Sequence, residues 1–65
     1  MKVTFLGKES GGKGCPALYS TDRDTVLVQG WRVVDAETLA GMEISEHETV
    51  VEVPRALLRF APPET

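Results

Sequence analysis

The sequence contains only one cysteine and one histidine in 65 residues. A single cysteine cannot close an internal disulfide, and the two residues together fall short of the about four ligands that a structural zinc site uses. We therefore expect no disulfide, no metal and no cofactor, and a lone thiol suits a reducing compartment. A domain this small buries only about 60% of its unfolded surface, so it relies on ordinary packing, which an oligomer interface can extend.

Long hydrophobic runs are also missing. No apolar stretch approaches the about 20 residues that cross a bilayer. The first ten residues, MKVTFLGKES, lack the apolar segment of a secretion signal. We therefore expect a cytoplasmic protein that makes no membrane contact.

Positive charge is not in excess. The chain has 7 Lys and Arg against 10 Asp and Glu, a net charge of −3, so we do not expect direct binding to nucleic acid. Residues 35–52 contain no Lys or Arg, and this acidic block is interpreted either as a solvated surface or as a face for a basic partner. Its carboxylates are those of Asp35, Glu37, Glu43, Glu46, Glu48 and Glu52.

Short strand patterns are what the sequence does contain. Alternating apolar residues predict four strands, over residues 2–6, 15–20, 25–34 and 48–53. The third is the longest and is apolar on both faces, so we expect it to be central, with a bulge or bend at Gly30. Thr21–Asp24 is predicted to be the turn before it.

Two short helices complete the pattern. Asp35 is predicted to cap a helix over Ala36–Ala40 that ends at Gly41, with Leu39 and Met42 as its buried residues. Pro54 is predicted to open a second helix that ends at Phe60. The expected fold class is α+β, a small antiparallel sheet of three to four strands with two short helices.

The domain boundaries follow from composition. Residues 1–13 are expected to form an N-terminal strand and a flexible glycine-rich loop, residues 14–61 a single β-rich domain, and residues 62–65 a frayed tail. Within that loop, Gly7–Gly14 matches the spacing G-x-x-x-x-G-K of a phosphate-binding loop. Gly14 stands where that motif needs Ser or Thr, and a strand follows instead of a helix, so nucleotide binding is not expected.

Cys15 and His47 are the two residues on which a reaction could be built. A nucleophilic thiol needs a nearby base or cation to lower its pKa, and a third group to orient that base. No third group is evident in the sequence, and Cys15 at the start of a strand fits a small core residue. A thiol-based enzyme or sensor that uses these two residues is kept as the alternative function.

Apolar side chains are the better binding candidates. The two aromatics Tyr19 and Trp31 can be core residues or interface anchors. The long third strand has more apolar surface than a short helix can cover, which would leave part of it for a partner. The interface candidates are Tyr19, Leu27, Trp31, Leu57, Leu58 and Phe60.

Several segments between residues 14 and 60 are similar to those of a group of small proteins. They are GCPALY (14–19), TDR (21–23), VQGW (28–31), ETVVEVP (48–54) and LLRF (57–60). The chain resembles small actinobacterial proteins that are encoded beside Xre-type helix-turn-helix regulators. The resemblance implies a partner role in transcriptional control, by binding or sequestering a DNA-binding protein, and it supplies no functional residues to carry over.

These observations lead to one expected function. The chain is predicted to be a non-enzymatic protein-binding module, an accessory or regulatory partner of a helix-turn-helix transcription factor, with a homodimer as a further form. The short chain, the surplus of apolar strand surface and the missing catalytic set support this interpretation.

Overall fold

The computed structural model describes residues 1–9 and 16–63. The strands in chain order are β1 (Val3–Lys8), β2 (Ala17–Thr21), β3 (Val26–Gln29), β4 (Trp31–Arg32) and β5 (Val51–Glu52). Helix α1 (Ala36–Ala40) lies between β4 and β5, and a 3₁₀ helix (Arg55–Phe60) follows β5. The predicted fold class, a small α+β fold with an antiparallel sheet and two short helices, is confirmed.

β1, β2 and β3 form one antiparallel sheet in which β2 is the central strand. β1 therefore belongs to the same sheet as β2, although the sequence pattern placed it apart from the β-rich domain. The glycine-rich loop that was expected to be flexible falls largely in residues 10–15, and the end of the frayed tail in residues 64–65. Both segments lie outside the residues that the structure describes.

The prediction that residues 25–34 form one long central strand is wrong. β3 ends at Gln29 and lies at the edge of the sheet, and after Gly30 the chain pairs with β5 in a separate two-stranded sheet. The break at Gly30 was predicted, and it has a steric cause. A Cβ on Gly30 would lie 2.5 Å from Val53 Cγ1 and 2.7 Å from the Glu52 carbonyl oxygen, so only glycine admits this close approach of β5.

The core lies between the sheet and the 3₁₀ helix. Leu18 on β2 and Leu57 on the 3₁₀ helix are almost completely shielded from solvent. Gly7 pairs with Leu18 across the sheet, and a Cβ on Gly7 would lie only 2.4 Å from the ring of Phe60. The 3₁₀ helix therefore covers the face of the sheet that carries Leu18, with the Phe60 ring lying on the Gly7 backbone.

An ion pair fixes the 3₁₀ helix near the end of β1. Arg59 donates to Glu9 Oε2 at 2.7 Å, and its guanidinium lies 4.4 Å from the centre of the Phe60 ring. Both charged side chains remain partly exposed, so the pair contributes little to the free energy of folding. The pair connects the 3₁₀ helix to the residue that follows β1.

Helix α1 has the predicted cap. The Thr38 amide donates to Asp35 Oδ2 at 3.1 Å, and the Thr38 hydroxyl bonds to the same oxygen. These bonds, the hydroxyl first and then the amide, hold the pKa of the Asp35 carboxyl below its usual value because they stabilise the charged form. The predicted burial of Met42 is wrong: it follows the helix end at Gly41 and is exposed, while Leu39 is half-buried.

Candidate functional site

The face of the three-stranded sheet opposite the 3₁₀ helix carries a row of apolar side chains. The strand register places Phe5 opposite Tyr19 and Tyr19 opposite Leu27, so the three share one face. Val3 lies on the same face because it is two residues from Phe5. We call the surface formed by Val3, Phe5, Tyr19 and Leu27 the open sheet face.

The open sheet face is ordered but uncovered. The rings of Phe5 and Tyr19 meet edge to face, with centroids 5.7 Å apart. The Tyr19 hydroxyl donates to Gln29 Oε1 at 3.3 Å, which satisfies the polar end of the ring. Phe5 is 55% exposed and Leu27 40% exposed, because both helices of the described chain lie elsewhere. A flat aromatic and aliphatic surface of this kind is typical of a protein-binding site.

The six interface candidates from the sequence do not form one surface. Tyr19 and Leu27 lie on the open sheet face. Leu58 is exposed on the 3₁₀ helix, on the opposite side of the sheet, and Phe60 is half-buried over Gly7. Leu57 has no exposed surface, so its selection as an interface residue is wrong: it fills the core between the 3₁₀ helix and the sheet.

Phe5 and Val3 were missed as site residues. Their alternation in the segment KVTFL indicated a strand with both on one face. They were not chosen as site residues because the glycine-rich segment that follows separated their strand from the predicted domain. The pairing of Phe5 with Tyr19 restores them to the site.

Trp31 is 51% exposed on β4, where it pairs with Glu52 of β5. A buried Trp loses about 3–5 kcal/mol on truncation to Ala. Since half of this side chain remains in water, we expect Trp31→Ala to cost about 1–2 kcal/mol and to leave the protein folded. Thermal unfolding followed by far-UV circular dichroism measures this, and loss of the folded signal at 25 °C would contradict the exposed position.

Of the two residues of the alternative thiol chemistry, the structure describes only His47. Cys15 lies outside the described residues. His47 is exposed in the Ser45–Glu48 turn, in which the Ser45 amide donates to Glu48 Oε1 at 3.0 Å. Within residues 1–9 and 16–63, no three His, Cys, Asp or Glu side chains come close enough to hold a metal ion.

An open groove of about 650 Å³ lies beside the turn between β2 and β3. The hydroxyls of Thr21 and Thr25 in its wall bond to each other at 2.6 Å. Among the described residues of its lining, Asp24 is the one titratable group, and the chain adopts a φ of 60° there. A single carboxylate without a partner base or nucleophile does not make a catalytic site.

The acidic residues of the block are all exposed, at the start of α1, in the segment that follows it and on β5. Two of its carboxylates already have structural roles, since Asp35 caps α1 and Glu48 closes the Ser45–Glu48 turn. The others are free to face a basic surface. The open sheet face and the acidic block are therefore two surfaces of different chemistry.

Comparison with family models, with curated proteins and with solved structures found no match to this chain. In the part of the chain that the structure describes, no helix has the length and apolar character to cross a membrane.

Proposed function

We propose that this chain is a non-enzymatic, cytoplasmic protein-binding module that contacts its partner through the open sheet face. The observation that carries the proposal is the exposed row of Phe5, Tyr19 and Leu27, held in register by the sheet. An apolar surface on a rigid sheet binds without a large loss of conformational entropy, because its backbone is already fixed.

The partner that we propose is a helix-turn-helix transcription regulator. The resemblance to small actinobacterial proteins encoded beside such regulators supports this choice. The acidic block supports it through charge, since a regulator is basic where it contacts DNA phosphates. The apolar row would supply affinity, and the carboxylates would attract and orient the basic partner.

Calorimetric titration of the purified chain with a helix-turn-helix regulator, of the type encoded beside the proteins that the chain resembles, tests this proposal. Truncating an aromatic anchor of an interface costs about 2 kcal/mol or more, so we expect Phe5→Thr to weaken binding by about 30-fold or more. Threonine keeps the strand preference of the position, so β1 should persist. Circular dichroism checks that the variant is folded.

Val34→Thr is the matched control. Val34 is the most exposed of the large apolar side chains, at 79%, and it lies outside the three-stranded sheet. Its replacement makes a similar apolar-to-polar change and should leave the affinity as it is in the unchanged chain. No binding by the unchanged chain, or equal losses for the two variants, would refute the proposal.

A further inference from the structure

The outer edge of β3 has free backbone groups. In an antiparallel pair, successive residues direct their N–H and C=O groups alternately toward and away from the neighbouring strand. The Thr21 amide donates to the Thr25 carbonyl at 3.1 Å, so Thr25 and Leu27 face β2, and Val26 and Val28 face away. Among the described residues, no backbone hydrogen bond engages these outward groups of Val26 and Val28.

This edge lacks the features that usually protect an edge strand. β3 has the sequence VLVQ, with no charge, no proline and no bulge, and its three apolar side chains are each about two-fifths exposed. The other edge of the sheet, β1, has a register shift between Phe5 and Gly7 and ends at the charged Lys8. Of the two edges, β3 is therefore the one suited to pairing with another strand.

We propose that two copies of the chain pair through β3, antiparallel, about a two-fold axis at Leu27. In this register, Val26 of each copy pairs with Val28 of the other, so all the outward backbone groups of both valines form hydrogen bonds. Leu27 then lies opposite Leu27 of the second copy in a non-hydrogen-bonded pair. An axis at either valine would place the other valine opposite the turn or opposite Gly30, with fewer bonds formed.

Self-complementarity of this edge supports a second copy as its occupant. The segment Val26–Leu27–Val28 pairs with itself about Leu27, so that each outward valine of one copy meets an outward valine of the other. The paired strands are uncharged, so like charges do not oppose their approach.

Pairing would produce a six-stranded sheet with a two-fold symmetric open face. The row Phe5–Tyr19–Leu27 of one copy would continue directly into that of the other. Helix-turn-helix regulators commonly bind DNA as two-fold symmetric dimers, so a symmetric face suits such a partner. This biological role rests on the proposed function, whereas the pairing itself does not.

Disulfide trapping tests the register. With Cys15→Ser as the background, Leu27→Cys places two thiols opposite each other at a Cα separation of about 4.5 Å, within the range of a disulfide. Mild oxidation should give a disulfide-linked dimer. Val28→Cys is the control, because Val28 and Leu27 are equally exposed, at 40%, but Val28 would face Val26 of the second copy. We expect about tenfold slower cross-linking there. Equal rates, or no cross-linking at Leu27→Cys, would overturn the register.

Light scattering after size exclusion tests the dimer in the unmodified chain. We expect twice the chain mass, and Leu27→Lys and Leu27→Glu should each be monomeric because like charges would meet on the axis. Mixing these two variants should restore a dimer, and circular dichroism verifies that each is folded. A monomeric unmodified chain would overturn the pairing.

Failure of the pairing and failure of the proposed function can be distinguished. If a monomeric chain still bound the regulator, the proposed function would stand. A dimer that binds no regulator would refute only the proposed function.

Discussion

Replacing Leu57 by Ala is expected to remove most of the stability of this protein. Leu57 is 0% exposed and joins the 3₁₀ helix to the sheet. Truncation of a buried leucine to Ala costs about 2–5 kcal/mol. At about 0.05–0.15 kcal/mol per residue, the whole chain is stable by only about 3–10 kcal/mol. Urea unfolding followed by Trp31 fluorescence and far-UV circular dichroism measures the loss.

Leu58→Ala is the control for this experiment. It makes the same substitution one residue further along the same helix, where the side chain is 58% exposed. We expect a loss of less than about 1 kcal/mol, because most of this side chain is already in water. Equal losses for the two variants would show that the 3₁₀ helix does not pack on the sheet through Leu57.

Gly7→Ala is the second change with a large expected effect. The new Cβ would lie 2.4 Å from two carbons of the Phe60 ring, so the ring or the strand must move. Overpacking of this kind costs about 1–3 kcal/mol. Because the ring is held by the 3₁₀ helix and by Arg59, we expect the helix to shift from the sheet and the thermal midpoint to fall.

Gly41→Ala provides the comparison. A Cβ there meets only the Thr38 carbonyl oxygen at 3.6 Å, an ordinary contact, and the φ of −82° suits any residue. We expect the thermal unfolding midpoint of the Gly41→Ala variant to change little. If the clash at Phe60 is the cause at Gly7, then Phe60→Ala and Gly7→Ala should be strongly non-additive in a double-mutant cycle. Additive losses would point to a different cause.

Local features of the fold could be predicted from the sequence because their causes are local. The Asp35 cap and the Thr21–Asp24 turn each depend on residues within a few positions. The break at Gly30 could be predicted from the glycine itself, although the strand that approaches it, β5, is distant in the chain. The bounds of the helix after Pro54 were predicted to within one residue, although it is a 3₁₀ helix and Pro54 is its cap and not its first residue.

Features that depend on distant pairing could not be predicted in the same way. Whether β2 or β3 is central depends on which of them pairs with β1. The glycine-rich segment after β1 has no pattern from which that pairing could be predicted. Leu57 and Leu58 are adjacent and identical, so only the packing of the 3₁₀ helix decides which is buried. The open sheet face combines residues of three strands, and half of it was found: Tyr19 and Leu27, without Val3 and Phe5.

The central claim is that the partner binds the open sheet face. The most direct measurement is a ¹H–¹⁵N correlation spectrum of the labelled chain during titration with the helix-turn-helix regulator. We expect the amide signals of Phe5, Tyr19 and Leu27 to shift or broaden at low ratios of regulator, while those of the 3₁₀ helix change little. A spectrum unchanged by the regulator, or changes confined to the 3₁₀ helix, would contradict the claim.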